Sequence, residues 1–231
     1  MKLFLNGGGA GEQTIRTYKE INKIIDHNKP VLYIPLAMDE SVHPYDSCLE
    51  WIKGEISIID IPNIEMVRTF EELYEKDFNK FSMMFIGGGN TYKLLKGIKD
   101  TKSYDKFVEY IKNDGIIYGS SAGSVIFGKN INSIEIMDDN NVNLVDTEGF
   151  DILNGKSLFV HYTNYSSKFT EEENKSLIEK YTNFIIDYTI KNETVIAYPE
   201  ENSIFIDGED FKMIGDSPYY IFENGIKDKI E

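Results

Sequence analysis

Cysteine is almost missing from this 231-residue chain: Cys48 stands alone, so no disulfide framework can form within it and no cysteine-rich zinc site can be built. Positive charge is scarce as well. Lys and Arg total 24 against 39 Asp and Glu, a formal net charge of -15, and such a surface repels phosphate backbones and anionic lipid head groups. Neither nucleic acid nor a membrane is an expected partner. Arginine occurs only at Arg16 and Arg68. No apolar run approaches the roughly 18 residues that a membrane-spanning helix needs. The opening MKLFLNGGG lacks the apolar region of a signal peptide, and a reducing cytoplasm is the expected location. No Pro-, Gly- or Ser-rich linker or charge block divides the chain. With 41% hydrophobic residues to bury, residues 1–231 read as a single domain around one core.

What is present is an alternation of two patterns. Short β-rich runs bounded by Gly, Pro or Asn lie at KLFLN (2–6), VLYIPLA (31–37), ISIIDI (56–61), SMMFIGG (82–88) and GIIYGS (115–120). Between them run segments of helical spacing. In GEQTIRTYKEINKIIDH (11–27), Ile15, Tyr18, Ile21, Ile24 and Ile25 share one face opposite Lys and Glu. Repeated strand-helix alternation, with strands apolar nearly throughout, predicts an α/β fold: a three-layer αβα sandwich on a mostly parallel central sheet. Ligands of such sheets bind at the carboxyl ends of the strands, where NGGGAGEQT (6–14) and GGGNTYKLL (87–95) supply two glycine-bearing loops. No Lys-Ser/Thr pair follows the first of them, which argues against a phosphate-binding loop there. No cofactor is expected, and no metal, since no His, Asp or Glu cluster has ligand spacing.

A third glycine cluster carries chemistry. Gly119-Ser120-Ser121-Ala122-Gly123 fits G-x-S-x-G, the turn that lifts a serine hydroxyl between a strand and a helix. A serine nucleophile needs a base, and there are three histidines. His27, in IIDHNKP, is expected to close a helix at its C-terminus, where a cation is favoured. His43 precedes Pro44 in a polar loop. His161 ends the apolar run SLFVHYTN and so emerges at a strand's carboxyl end, on the same rim as Ser121, with Thr163 and Asn164 following. It is the better base. A carboxylate should fix the imidazole's tautomer. Glu200 or Glu201, after the strand in TVIAYPEENSIFI, can do so, and Asp138 and Asp139 are the rivals. An oxyanion hole needs two backbone amides, one after the nucleophile, Ala122, and one from a glycine loop, Gly89. Trp51 is expected to pack a helix onto the sheet, and SPYYIFENG (217–225) to form a closing strand pair. TEEENKSLIEKYTNFIIDY (170–188) reads as an amphipathic helix with Leu177, Ile178, Tyr181, Ile185 and Ile186 inward.

In these residues the chain resembles the dipeptidase E family of serine peptidases, which includes aspartyl dipeptidases and cyanophycinases, on the class I glutamine amidotransferase-like scaffold. IGGGNTYKLL, YGSSAGSV, DTEGFDIL, VHYTN and VIAYPEENSI look like family segments, in family order, from Ile86 to Ile204. The resemblance implies that Ser121 is the nucleophile, His161 the base, Glu200 the orienting acid, and Gly89 with Ala122 the oxyanion donors. Asn90, Thr163 and Asn164 would border a small peptide substrate. Two departures stand out. The stretch after the histidine, which in the aspartyl dipeptidases carries an arginine, reads SKFTEEENKSLI here and has none. A clamp on an aspartate would then fall to Arg16, Arg68 or Lys168, which argues against aspartyl specificity. The family's PEGN reads PEEN, so that Glu201 becomes a rival to Glu200. The reading is a serine-type dipeptidase-like hydrolase. Its alternatives are a cyanophycinase-like hydrolase of β-linked Asp-Arg units and a catalytically silent small-molecule-binding protein on the same scaffold.

Overall fold

A computed structural model describes residues 1–208 and 210–231. Five parallel strands form most of the main sheet: β1 (Lys2–Asn6), β2 (Val31–Ile34), β3 (Ile64–Met66), β4 (Met83–Ile86) and β5 (Ile116–Ser120). Two antiparallel strands, β8 (Ser203–Asp207) and β9 (Asp210–Ile214), complete it in the order β3-β2-β4-β5-β1-β8-β9. The strands are short and apolar because both faces are covered. Along β1, Leu3 and Leu5 enter one core while Phe4 enters the other. β2 and β4 divide in the same way, with Leu32, Ile34, Met84 and Ile86 on one side and Tyr33 and Phe85 on the opposite one. Each fully buried side chain of this size contributes roughly 1.5–3 kcal/mol over its exposed state.

Helices α1 (Ile15–Asn22), α2 (Tyr45–Glu55), α3 (Phe70–Glu75), α4 (Thr91–Asp100), α5 (Ser103–Lys112) and α6 (Ala122–Val125) fill the connections. The long α7 (Glu171–Thr189) opens with a capping box, in which Thr170 accepts from the Glu173 amide and the Glu173 carboxylate from the Thr170 amide. Its Ile185 is buried as the spacing predicts, with Tyr181 and Ile186 packed against the same core. Among the described residues no helix is long and apolar enough to cross a membrane.

A second sheet was not distinguished in the sequence. It orders β6 (Ser157–Phe159), β7 (Val195–Ala197), β10 (Tyr219–Glu223) and β11 (Ile226–Ile230) as β11-β10-β7-β6. SPYYIFENG supplies only one strand of the expected closing pair, β10; its hairpin partner β11 lies beyond that stretch. Three other expectations need correction. ISIIDI is not a strand: Ile56 and Ile59 are buried three residues apart, Ile56 bonds back to Ile52, and Ile59 bonds back to Ile56. The run is thus the tail of α2, and the strand starts later, at Ile64. The first helix ends at Asn22, which leaves Ile24 40% exposed. His27 therefore caps no helix; its Nδ1 meets the Asp60 carbonyl at 2.6 Å.

Candidate active site

Ser121 stands where β5 breaks into α6, with φ 53° and ψ -116°, a conformation that costs a non-glycine residue roughly 1–3 kcal/mol. Its surroundings hold it there. The Ser121 amide donates to the Asn6 carbonyl at 3.2 Å, and the buried Ser124 hydroxyl lies 2.8 Å from both the Asn6 and the Gly119 carbonyls. The two outer glycines of the motif are steric requirements. A Cβ on Gly119 would fall 2.2 Å from the Gly123 carbonyl oxygen, and one on Gly123 would fall 2.2 Å from that of Ile86.

His161 and Glu200 arrive from the second sheet. β6 and β7 are parallel neighbours, Phe159 beside Ala197, so the residues just past their carboxyl ends come out side by side. A bond from the Tyr162 amide to the Tyr198 carbonyl continues the pairing. The Ser121 hydroxyl lies 2.8 Å from His161 Nε2, and His161 Nδ1 lies 2.8 Å from Glu200 Oε1. The network requires the tautomer in which Nδ1–H donates to the carboxylate and Nε2 accepts from the serine. The His161 and Glu200 side chains are 25% and 31% exposed, partly shielded from water yet open to a substrate.

Asn6, which the sequence reading passed over, ties the two halves together. It is fully buried at the end of β1. Its amide group donates to the carbonyls of Glu200 and Asn202 and to the Ser203 hydroxyl, while its Oδ1 accepts from the Gly8 and Gly9 amides. The loop carrying the acid and the glycine loop after β1 are thereby bound to one side chain. The first glycine triplet consequently serves the histidine. Gly8 has φ +108°, and a Cβ there would lie 2.1 Å from His161 Cε1, so the imidazole rests against bare backbone.

The rival acids are elsewhere. Asp138 Oδ2 accepts from the Thr91 amide at the start of α4, and the Asp139 carbonyl accepts from the Asn90 side chain. Glu201 accepts from the Ser217 hydroxyl. Neither Asp138, Asp139 nor Glu201 reaches His161 Nδ1, the position taken by Glu200. Of the expected substrate-lining residues, Asn90 borders the main cavity but also caps α4 by accepting from the Lys93 amide. Asn164 accepts from the Glu200 amide at 2.8 Å, which makes it a support for the acid, and the Thr163 hydroxyl donates to the Tyr162 carbonyl. Gly89, Ser121, Ala122 and His161 all line a small cavity of about 230 Å³. Among the described residues neither amide donates to an acceptor in the chain.

Beside Ser121 opens a larger cavity of about 640 Å³, within the range of small-molecule sites. Trp51 lines it and is 45% exposed, which corrects the expectation that this indole packs a helix onto the sheet. His43 lines it too. Arg16 pairs with Asp216, Arg68 with Glu40 and Asp46, and Lys168 is exposed; none of the three lines either cavity.

Residues 3–214 match the model of Peptidase family S51. Similar curated proteins include peptidase E of Pasteurella multocida, 26% identical over 203 residues that cover 86% of this chain and 80% of that protein. Another is an uncharacterized peptidase of Listeria monocytogenes, 29% identical over 175 residues covering 73% and 81%. A solved structure of an L. monocytogenes protein provisionally assigned as peptidase E superposes with a TM-score of 0.68 at 22% identity, over 94% of this chain and 98% of that one. A peptidase from an acI-B1 actinobacterium gives 0.63 at 15% identity over 99% and 93%. The architecture is the class I glutamine amidotransferase-like one that the sequence led us to expect.

Proposed function

The chain belongs to peptidase family S51, a family of serine-type peptidases, and from that premise we propose that it cleaves an amide bond in a small peptide through Ser121, His161 and Glu200. The observation that carries the assignment is the unbroken relay of two 2.8 Å contacts from the serine through the imidazole to the carboxylate. The Ser121 oxygen attacks the scissile carbonyl carbon while its proton passes to His161 Nε2. Glu200, ionised and accepting from Nδ1–H, steadies the imidazolium so formed. The carbonyl oxygen becomes an oxyanion held by the Gly89 and Ala122 amides. A single donor of this kind is worth about 10²–10³ in rate. Collapse of the intermediate breaks the C–N bond, and His161 returns the proton to the departing amine. Water, deprotonated by the same imidazole, then hydrolyses the seryl ester and frees the acid.

The absence of a thiol at the elbow separates this chemistry from glutamine amide transfer through a thiolate. Cys48 lies on α2, and its burial pushes the thiol pKa up, opposite to what a nucleophilic cysteine needs. A fluorophosphonate probe tests the assignment. Labelling should fall on Ser121 alone and vanish in Ser121→Ala. A well-folded wild type that neither labels nor hydrolyses any dipeptide would assign the scaffold to binding instead.

A further inference from the structure

The cavity beside Ser121 has a distinct chemical character. Its large apolar lining residues are Tyr33, Phe85, Met38, Val42, Trp51 and Val142. Val42 is 67% exposed and Trp51 45% exposed, so apolar surface stands open next to the nucleophile rather than packed away. Charged side chains are sparse: among the described lining residues they are Asp39 and Lys93, and His43 adds an imidazole. Both charged groups have internal partners, since Asp39 accepts from the Ser41 amide and hydroxyl and Lys93 donates to the Met38 carbonyl. No guanidinium waits for a substrate carboxylate, and no group of carboxylates for a substrate guanidinium.

One buried polar atom beside this cavity is weakly partnered. Tyr33 is fully buried and borders the cavity, and its hydroxyl makes no hydrogen bond of ordinary geometry among the described residues, the Cys48 thiol being the side-chain group that acts on it. Leaving such a group unpaired is costly, and burial raises its pKa, so it stays a neutral phenol able to donate and accept. The glycine loop after β4 connects it to the nucleophile. A Cβ on Gly87 would lie 3.6 Å from the Tyr33 hydroxyl, and one on Gly88 would lie 3.2 Å from Ser121 Cβ.

We propose that this cavity is the specificity pocket, that it takes an aromatic side chain adjoining the scissile amide, and that the Tyr33 hydroxyl bonds the polar tip of that side chain. Tyrosyl dipeptides are then preferred over phenylalanyl ones, and both over aspartyl or β-Asp-Arg substrates. The inference rests on the serine-peptidase reading, and the test separates the two. Dipeptides bearing Tyr, Phe, Leu, Asp or β-Asp-Arg are assayed for hydrolysis by the wild type, and their binding to Ser121→Ala is measured by calorimetry. Tyrosyl over phenylalanyl preference should be about three- to tenfold, the worth of one neutral hydrogen bond. In Tyr33→Phe that ratio should fall to near unity, a change that a purely structural role for the phenol would not produce. Trp51→Ala should raise KM for aromatic substrates more than for leucyl ones. Preference for aspartyl or β-Asp-Arg substrates would overturn the inference while leaving the serine mechanism standing, and so would a Tyr/Phe ratio unchanged in Tyr33→Phe. Absence of hydrolysis and of fluorophosphonate labelling would sink the mechanism. The pocket would then be judged on Ser121→Ala alone, where failure of every aromatic dipeptide to bind at millimolar concentration would refute it.

Discussion

Gly8→Ala isolates the contact between the glycine loop and the base. The added methyl would sit 2.1 Å from His161 Cε1, whereas ordinary contact begins near 3.4 Å, so the ring or the loop must give by more than 1 Å. Asn6 grips that loop through the Gly8 and Gly9 amides, which makes the ring the softer partner. A displacement of this size breaks the 2.8 Å Ser121–His161 contact, and a misplacement of about 1 Å costs about 10² in rate, or about 2.7 kcal/mol of transition-state stabilisation. Backbone strain at φ +108° adds a stability cost of about 1–3 kcal/mol. Gly11→Ala is the control: φ is +58° and nothing lies within 4 Å of its Cβ, so it should lose about 1–2 kcal/mol of stability and keep its catalytic rate. The assay is kcat/KM on a cleaved dipeptide, or the rate of fluorophosphonate labelling, beside thermal unfolding of both variants. A folded Gly8→Ala protein as active as Gly11→Ala would refute the claim that the bare backbone at residue 8 sets the position of the imidazole.

Other outcomes follow from the same geometry. Glu200→Gln keeps a side-chain partner for the imidazole but loses the charge that steadies imidazolium, so kcat should fall by about 10²–10⁴; Glu201→Gln, whose parent carboxylate accepts from Ser217, should change kcat little, and the reverse ranking would exchange their roles. Ser121→Gly removes a side chain from a φ 53°, ψ -116° backbone, and it should abolish hydrolysis while raising Tm by about 2–4 °C, for a net gain of about 1 kcal/mol after the entropy cost of glycine. Asn6→Ala deletes a fully buried amide with five partners and should cost about 2–4 kcal/mol in urea unfolding; a loss below about 0.5 kcal/mol would contradict its role as the tie between loops. Because burial raises the Cys48 pKa, its thiolate fraction is below that of a free thiol at any given pH. Alkylation by iodoacetamide should therefore be slow near neutrality and climb only as pH rises through the shifted value, and reaction as fast as glutathione at pH 7 would rule this out.

The parallel strands β1, β2, β4 and β5 and the long α7 were legible in the residue order alone, because continuous apolar runs and a 3.6-residue stripe are local patterns that burial on two faces or one face demands. The elbow was legible for a related reason: a strained backbone at Ser121 requires small residues at fixed offsets, and Gly119 and Gly123 meet the neighbouring carbonyls. His161 was legible because few histidines compete and only one ends an apolar strand. The choice among Glu200, Glu201, Asp138 and Asp139 was not, since in a chain with 39 acidic residues adjacency in sequence says nothing about which carboxylate faces the imidazole. Parallel pairing of β6 with β7 sets the residues past Phe159 and Ala197 side by side, and it is Glu200 whose Oε1 comes to 2.8 Å from His161 Nδ1. The separate second sheet, the role of Asn6 and the exposure of Trp51 belong to the same class. Each depends on contacts between segments far apart in the chain, as with Asn6 and Glu200, 194 residues distant, and no local spacing encodes a contact of that range.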